Sequence, residues 1–145
     1  MSEKIAIVVD GSLPAGLLAN AIAVAAFSIG VRRPDLRGSD LLSADGMLVP
    51  GIVSIAMPVL TTSAERLHAI HTQAVALPAD EGFVVIGFTE QAQRPQTYET
   101  YAATIQQTPA VKLCYRSIAL YGARKKVDKL VGNLPLLKQM ASSAS

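Results

Sequence analysis

Two carboxylates and three hydroxyl or amide side chains stand where a sheet protein gathers its chemistry. Asp10 closes the apolar run IAIVVD, and Thr89, Glu90 and Gln93 follow FVVIGF. Asn20 is the polar side chain inside GLLANAIAVAAF, the most apolar stretch of the chain. In open α/β sheets, ligands bind beyond the carboxyl ends of the strands. If the strands ending at Asp10 and Phe88 are parallel neighbours, Asp10, Asn20, Thr89, Glu90 and Gln93 converge on one crevice. A carboxylate there acts as a general base or a hydrogen-bond acceptor, and the amides orient a ligand. Tyr98 and Tyr101 follow at i, i+3 and share a helix face, which either lines that crevice or seals the helix to the sheet. The candidate ligand-binding set is therefore Asp10, Asn20, Thr89, Glu90, Gln93 and Tyr98, with no catalytic residue assigned. The plainer alternative makes Asp10 a turn former and leaves Glu90 and Gln93 solvated.

The other reactive side chains offer less. His68 and His71 lie three apart on one helical stretch, but no third ligand accompanies them, so two surface histidines are expected and no metal. Cys114 is the single cysteine, which excludes an internal disulfide. With no base announced beside it, it is expected to pack rather than react. Arg124, Lys125, Lys126 and Lys129 crowd one short helix and form a candidate phosphate or RNA contact. No aromatics interleave them for base stacking, so a solvated face is favoured over RNA binding. Nucleotide-binding loops, a nucleophile elbow and a zinc-protease helix are absent from the sequence, and no cofactor is expected.

Strands alternating with helices must position these residues. Residues 5–9 read as a strand buried on both faces, broken by Asp10, Gly11, Ser12 and Pro14, with Ser12 capping a helix that begins near Pro14. Residues 17–29 are too short for a bilayer span and carry Asn20 and Ser28, and no basic segment precedes them as in a signal peptide. They form the first helix of an α/β unit, in a protein expected to be soluble, cytoplasmic and free of the membrane. Apolar on every side, that helix needs a further layer, a ligand or a second copy, which points to a homodimer.

Residues 32–51 read as a connecting loop, with a helical turn near Leu41 and a short strand at 47–49 paired to 52–57. Residues 52–59 form the second clear strand, ended by Pro58. Thr61, Thr62 and Ser63 offer the cap of a helix reaching about Ala76. A turn at 77–82 leads to a strand at 83–88, a polar loop at 89–96 and a short helix at 98–107. Residues 111–121 form the last strand, wet at Lys112, Cys114 and Arg116 and dry at Val111, Leu113 and Tyr115. Its alternation fails near Ser117, through a bulge or a doubly buried end. Residues 123–132 are the final, basic helix. The sum is one α/β domain over residues 1–140, with about four strands in a mixed sheet and helices on both faces. A small polar tail at 141–145 has no reason to be ordered.

Bulk properties agree with this class. Of 145 residues, 50% are hydrophobic and 17% charged, a globular composition rich in small aliphatics and long enough for one core. The formal charge of +2 divides unevenly. Residues 1–110 carry six basic and ten acidic side chains, a net of −4, and residues 111–145 carry seven basic side chains and only Asp128, a net of +6. Such a field steers anions or a complementary partner.

The segments VVDGSLPAGLLANAIAVAAFSIG, PVL, FTEQAQ, YETY and ALYGARKKVDKLVGNLPLL together resemble the bacterial proteins called domain of unknown function 2000. The resemblance covers nearly the whole chain, and GNLPLL is its most specific part. That family is similar in fold to type 2 peptidyl-tRNA hydrolases, which implies a four-stranded mixed sheet, helices on both sides and often a dimer. LPAGLLANAIAVAA aligns with the hydrolases' first helix and LYGARKKVDKLVGNLPLL with their last strand and helix. Those enzymes place a catalytic Lys and Gln in the first helix, where this chain has Leu17 and Ala21, and Glu90 falls where they carry an Asp. Neither Leu nor Ala transfers a proton or orients water, so the resemblance implies the scaffold without the hydrolase activity. The expected function is binding of a small molecule or peptide by a homodimer. A diverged hydrolase acting on an acylated or aminoacylated substrate, with Glu90 or Asp10 as base, is the alternative, and RNA binding through the basic helix comes third.

Overall fold

The structure, a computed structural model, describes residues 2–78 and 82–138. In chain order the elements are β1 (Glu3–Asp10), α1 (Ala15–Arg32), β2 (Leu41–Leu42), β3 (Leu48–Val49), β4 (Val59–Thr62), α2 (Ala64–Val75), β5 (Val84–Thr89), α3 (Glu90–Gln93), α4 (Tyr98–Gln106), β6 (Tyr115–Ala123) and α5 (Arg124–Val131). Single 3-10 turns occupy Pro34–Leu36 and Ala110–Lys112. The tail expected at 141–145 and part of the turn expected at 77–82 lie outside the described residues.

β1 is apolar on both sides because both sides are covered. Ile5 and Ile7 pack with Ala25 and Ile29 of α1, whereas Ala6 and Val8 pack with Leu67 and Ile70 of α2 and Val127 of α5. The sheet order is β4-β1-β6-β5, with β1 parallel to β4 and antiparallel to β6, and β6 antiparallel to β5. This is the four-stranded mixed sheet with helices on both faces that the sequence implies. α2 starts where Ser63 accepts a hydrogen bond from the Arg66 amide at 3.1 Å, and it turns Leu67, Ile70 and Ala74 to the core.

Several local expectations are corrected. Pro58 opens the second strand instead of ending it. Proline has no N–H to give a ladder, but its carbonyl accepts from the Ile7 amide at 3.0 Å, and pairing begins at Val59. β3 pairs with β2 around a turn at Ser43–Gly46, not with residues 52–57, and Leu41 is in a strand rather than a helical turn. Ser12 does not cap α1. Its amide and hydroxyl both donate to Asp10, at 3.0 and 2.7 Å, and α1 starts after Pro14. The residues around Lys112 form a 3-10 turn, and β6 has no wet face because it lies between β1 and β5 under helices on both sides. Its alternation breaks at a register shift, where Phe88 faces Ser117 and Thr89 faces Tyr115, leaving Arg116 as the extra residue.

The two sheet edges are treated differently. Along β4, Thr61 N–H donates to the Pro135 carbonyl at 2.9 Å and Leu137 N–H to the Val59 carbonyl at 2.8 Å, so the LPLL segment shields that edge. β5 has a ladder partner on one side only. A helix about 10 Å across spans two strands spaced about 4.8 Å apart. α1 therefore cannot cover the whole width of its face, and its contacts fall on β6, β1 and β5, where Val84–Gly87 stay only half-buried.

Candidate functional site

The uncovered strip becomes a groove along β5. Its floor is the consecutive run Val85, Ile86, Gly87 and Phe88. One wall is α1, through Val24, Phe27, Ser28 and Val31, and the other is the α3–α4 segment, through Gln96, Thr97, Tyr98 and Tyr101. The space measures about 730 Å³. Phe27 and Val31 stand 75% and 64% exposed, so the apolar character of α1 that faces away from the sheet is spent on this groove and its rim. Arg32, at one end, is the charged residue in the lining.

Capping chemistry fixes the second wall. Thr89 accepts a hydrogen bond from the Ala92 amide at 3.2 Å and starts α3, and Thr97 accepts from the Thr100 amide at 3.1 Å and starts α4. Tyr101 shares a hydrogen bond with Thr89. Burial pushes its phenol above the ordinary tyrosine range, with the neighbouring Tyr98 adding to the shift and Thr89 opposing it. Tyr98 packs edge-on against Tyr101 with ring centroids 5.4 Å apart and is 80% exposed. Gln93 ties this wall to α1, its amide donating to the Leu17 carbonyl at 3.0 Å and to Asn20 Oδ1 at 3.2 Å.

The sequence-derived residues thus fall into separate groups. Asn20 and Gln93 meet directly, and Thr89, Tyr101 and Tyr98 form a second connected set beside them. Asp10 does not join them. Strand alternation puts it on the face of Ala6 and Val8, opposite α1, and its Oδ1 accepts both the amide and the hydroxyl of Ser12. The strands ending at Asp10 and Thr89 are not neighbours either, because β6 runs between them. Glu90 lies 3.9 Å from both Arg94 and Arg116, and its backbone N–H donates to the Cys114 carbonyl. Sequence reasoning missed Phe27, Val31 and the β5 edge. The signal present was the excess of apolar residues on α1, which was assigned to a dimer or a ligand without a location.

The remaining candidates are dispersed over the other face. His71 stacks on Tyr115 at 4.2 Å, and His68 contacts the Ala110 carbonyl at 3.1 Å. Burial, and then the charge of His68, lowers the pKa of His71. Among the described residues no cluster of three or more His, Cys, Asp or Glu is placed to hold a metal. Burial pushes the Cys114 thiol up, Arg116 pulls it down, and Glu90, Asp10 and Glu65 add to the rise, so it is held as a thiol. On α5, Arg124 donates to Ser2 Oγ at 3.0 Å, Lys126 lies over the Phe83 ring at 5.7 Å, and Lys125 and Lys129 are exposed.

A solved structure of a protein of unknown function from Agrobacterium tumefaciens superposes on this fold with a TM-score of 0.81. The two chains are 18% identical, and the match covers 94% of this chain and 98% of that one, which establishes a shared architecture. No curated protein matches the chain. The family described as protein of unknown function (DUF2000) matches residues 3–138, from the first strand through the segment that shields β4, and the chain belongs to that family.

Proposed function

We propose that this chain is a binding protein that takes a short, extended, apolar peptide along β5. The peptide backbone pairs with the open strand edge, and its side chains lie between Phe27 and Val31 on one wall and Tyr98 and Tyr101 on the other. The observation that carries this reading is a groove of about 730 Å³ following four consecutive residues of an edge strand. Its size falls within the range of ligand sites, and its mostly apolar lining with a few hydroxyls and one amide is the usual composition of one. Arg32 at one end suits a peptide carboxylate. A cytoplasmic setting belongs to this reading, and a chain with one cysteine is compatible with it without requiring it.

Hydrolysis has weaker support. The Asp10 carboxylate is engaged by Ser12, and Leu17 and Ala21 offer no proton-transfer group. Likeness to type 2 peptidyl-tRNA hydrolases, on this reading, concerns scaffold and not reaction. RNA binding has only the charge of α5 behind it, and α5 packs on the face of the sheet opposite α1.

The test is binding of a pool of synthetic apolar pentapeptides, measured by fluorescence polarisation, beside native mass spectrometry of freshly purified protein. Pool members are expected to bind, and to lose about tenfold or more in affinity when alternate backbone nitrogens are methylated, because strand pairing uses those N–H groups. Ser28→Trp, which fills the groove from α1, is expected to abolish binding with little change in melting temperature. Equal binding of methylated peptides, or a reproducible non-peptide adduct with no peptide binding, would replace this reading with a small-molecule site.

A further inference from the structure

The two ends of the β5 groove differ in chemistry, and packing shows which end is which. α1 runs antiparallel to β5. Ala21, early in the helix, packs with Val9 and Phe88, whereas Ala25 and Ile29 pack with Ile5, Ile7, Val84 and Ile86. Val84 faces Tyr121 across the ladder, and the Arg33 guanidinium lies 4.3 Å from the centroid of the Tyr121 ring. The last turn of α1, which carries Arg32, therefore stands level with the beginning of β5.

The far end is closed. α3 leaves β5 directly after Thr89, and Gln93 binds the Leu17 carbonyl and Asn20 Oδ1, so α3 crosses from the end of the strand to α1. The groove residues that this segment supplies, among them Ala92, Gln96 and Thr97, are uncharged. Gln96 donates its Nε2 to the Gln91 carbonyl, which leaves its carboxamide oxygen to accept. An amino group finds acceptors at that end, whereas a carboxylate finds no cation. The end at Arg32 has the reverse character. Arg32 is exposed, and among the described residues no ion pair engages it, whereas its neighbour Arg33 is held by Asp35 at 2.6 Å. A helix C-terminus carries roughly half a negative charge, so the full charge of the guanidinium dominates there. Its planar fork matches a carboxylate through two parallel hydrogen bonds.

We propose that the groove selects short oligopeptides by their free carboxyl terminus, bound antiparallel to β5 with the terminal carboxylate on Arg32 and the amino end against α3. The inference rests on the peptide reading above and adds to it a direction, an end group and a length. Four floor residues of a strand cover about 13 Å, which an extended peptide of about four or five residues fills. A carboxylate at the beginning of β5 and an amino end at its close fix the antiparallel sense, because the ligand then runs against the strand it pairs with.

The experiment uses the apolar pentapeptide pool, synthesised once with free carboxyl termini and once as carboxamides, with retention on the full chain read by mass spectrometry. Acids are expected to bind about five- to tenfold more tightly than their amides at low ionic strength, and the ratio should shrink in about 0.5 M sodium chloride. Arg32→Gln, at an exposed position, should bring the ratio to about one while the amides bind as they do to the wild type and the melting temperature stays unchanged. A nitroxide on the last side chain of a bound peptide should broaden the amide signals of Val84 and Val85 more than those of Phe88 and Thr89. Equal binding of acids and amides, with backbone methylation still weakening both, overturns this inference and leaves the peptide groove standing. Failure of every pool member to bind removes both. A preference for acids that survives Arg32→Gln, or broadening centred on Phe88, also overturns it.

Discussion

Gly87 sits where two rings and a strand compete for one volume. A Cβ there would come within 2.5 Å of Tyr115 Cε1 and 3.1 Å of His71 Cδ2, and the Tyr115 ring is itself stacked on His71 at 4.2 Å. Gly87→Val is expected to lose about 1–3 kcal/mol of stability through overpacking, read as a lower midpoint in urea. The same stack makes His71 a pH-sensitive residue. Burial holds its folded pKa below the ordinary 6.5, so the unfolded chain takes up the proton first. Stability from this residue is complete above about pH 6.5 and declines as the pH falls below it. His71→Gln should flatten that part of a stability profile recorded against pH. At this scale the sequence reveals residue types but not their pairing. That Asp10 turns back onto Ser12 and Gln93 reaches Asn20 depends on which face of the sheet each occupies, and β6 sets that from more than a hundred residues away from Asp10.

Elements with strong local signals were legible. The β-branched run of β1, the Ser63 cap of α2 and the helical spacing of Leu67, Ile70 and Ala74 all carry their own explanation. The two-residue strands β2 and β3 carry no period, and their pairing depends instead on a close crossing of backbones. A Cβ on Gly51 would lie 1.9 Å from the Gly38 carbonyl oxygen, so Gly51→Ala must open the base of the β2–β3 hairpin. That variant should keep the far-ultraviolet circular dichroism of the sheet and helices while amides at 41–49 lose exchange protection. Pro58 misleads in the opposite direction, reading as a stop when its carbonyl serves as the first acceptor of β4. The LPLL segment has little periodicity either, but it does the work of an edge guard. Ending the chain at Asn133 removes the partners of Thr61 and Val59 and exposes β4, and the truncated protein is expected to aggregate on heating at concentrations where the full chain stays clear, as light scattering would show.

Across the whole molecule, protection should be graded from the centre of the sheet outwards. β1 and β6 share seven registered pairs and lie under helices on both faces, so their amides should exchange only on global unfolding. β5, half covered and paired on one side, should open at lower free energy, and a bound peptide should raise its protection selectively. The fold class and the presence of an unsatisfied apolar surface were both readable from composition and the over-apolar first helix. The groove itself was not, because it arises from the width of one helix against four strands, a relation that no local pattern encodes. The strand order also constrains how the chain is made. β6, the last of the four sheet strands in chain order, is inserted between β1 and β5, and the residues that shield β4 emerge later still. A nascent chain on the ribosome holds the β4–β1 pair and β5 without the strand that joins them, so the sheet cannot close until β6 has been translated. Until then β5 has no ladder partner and one side of β1 stands open, and exposed edges of this kind are what make an incomplete chain prone to aggregate.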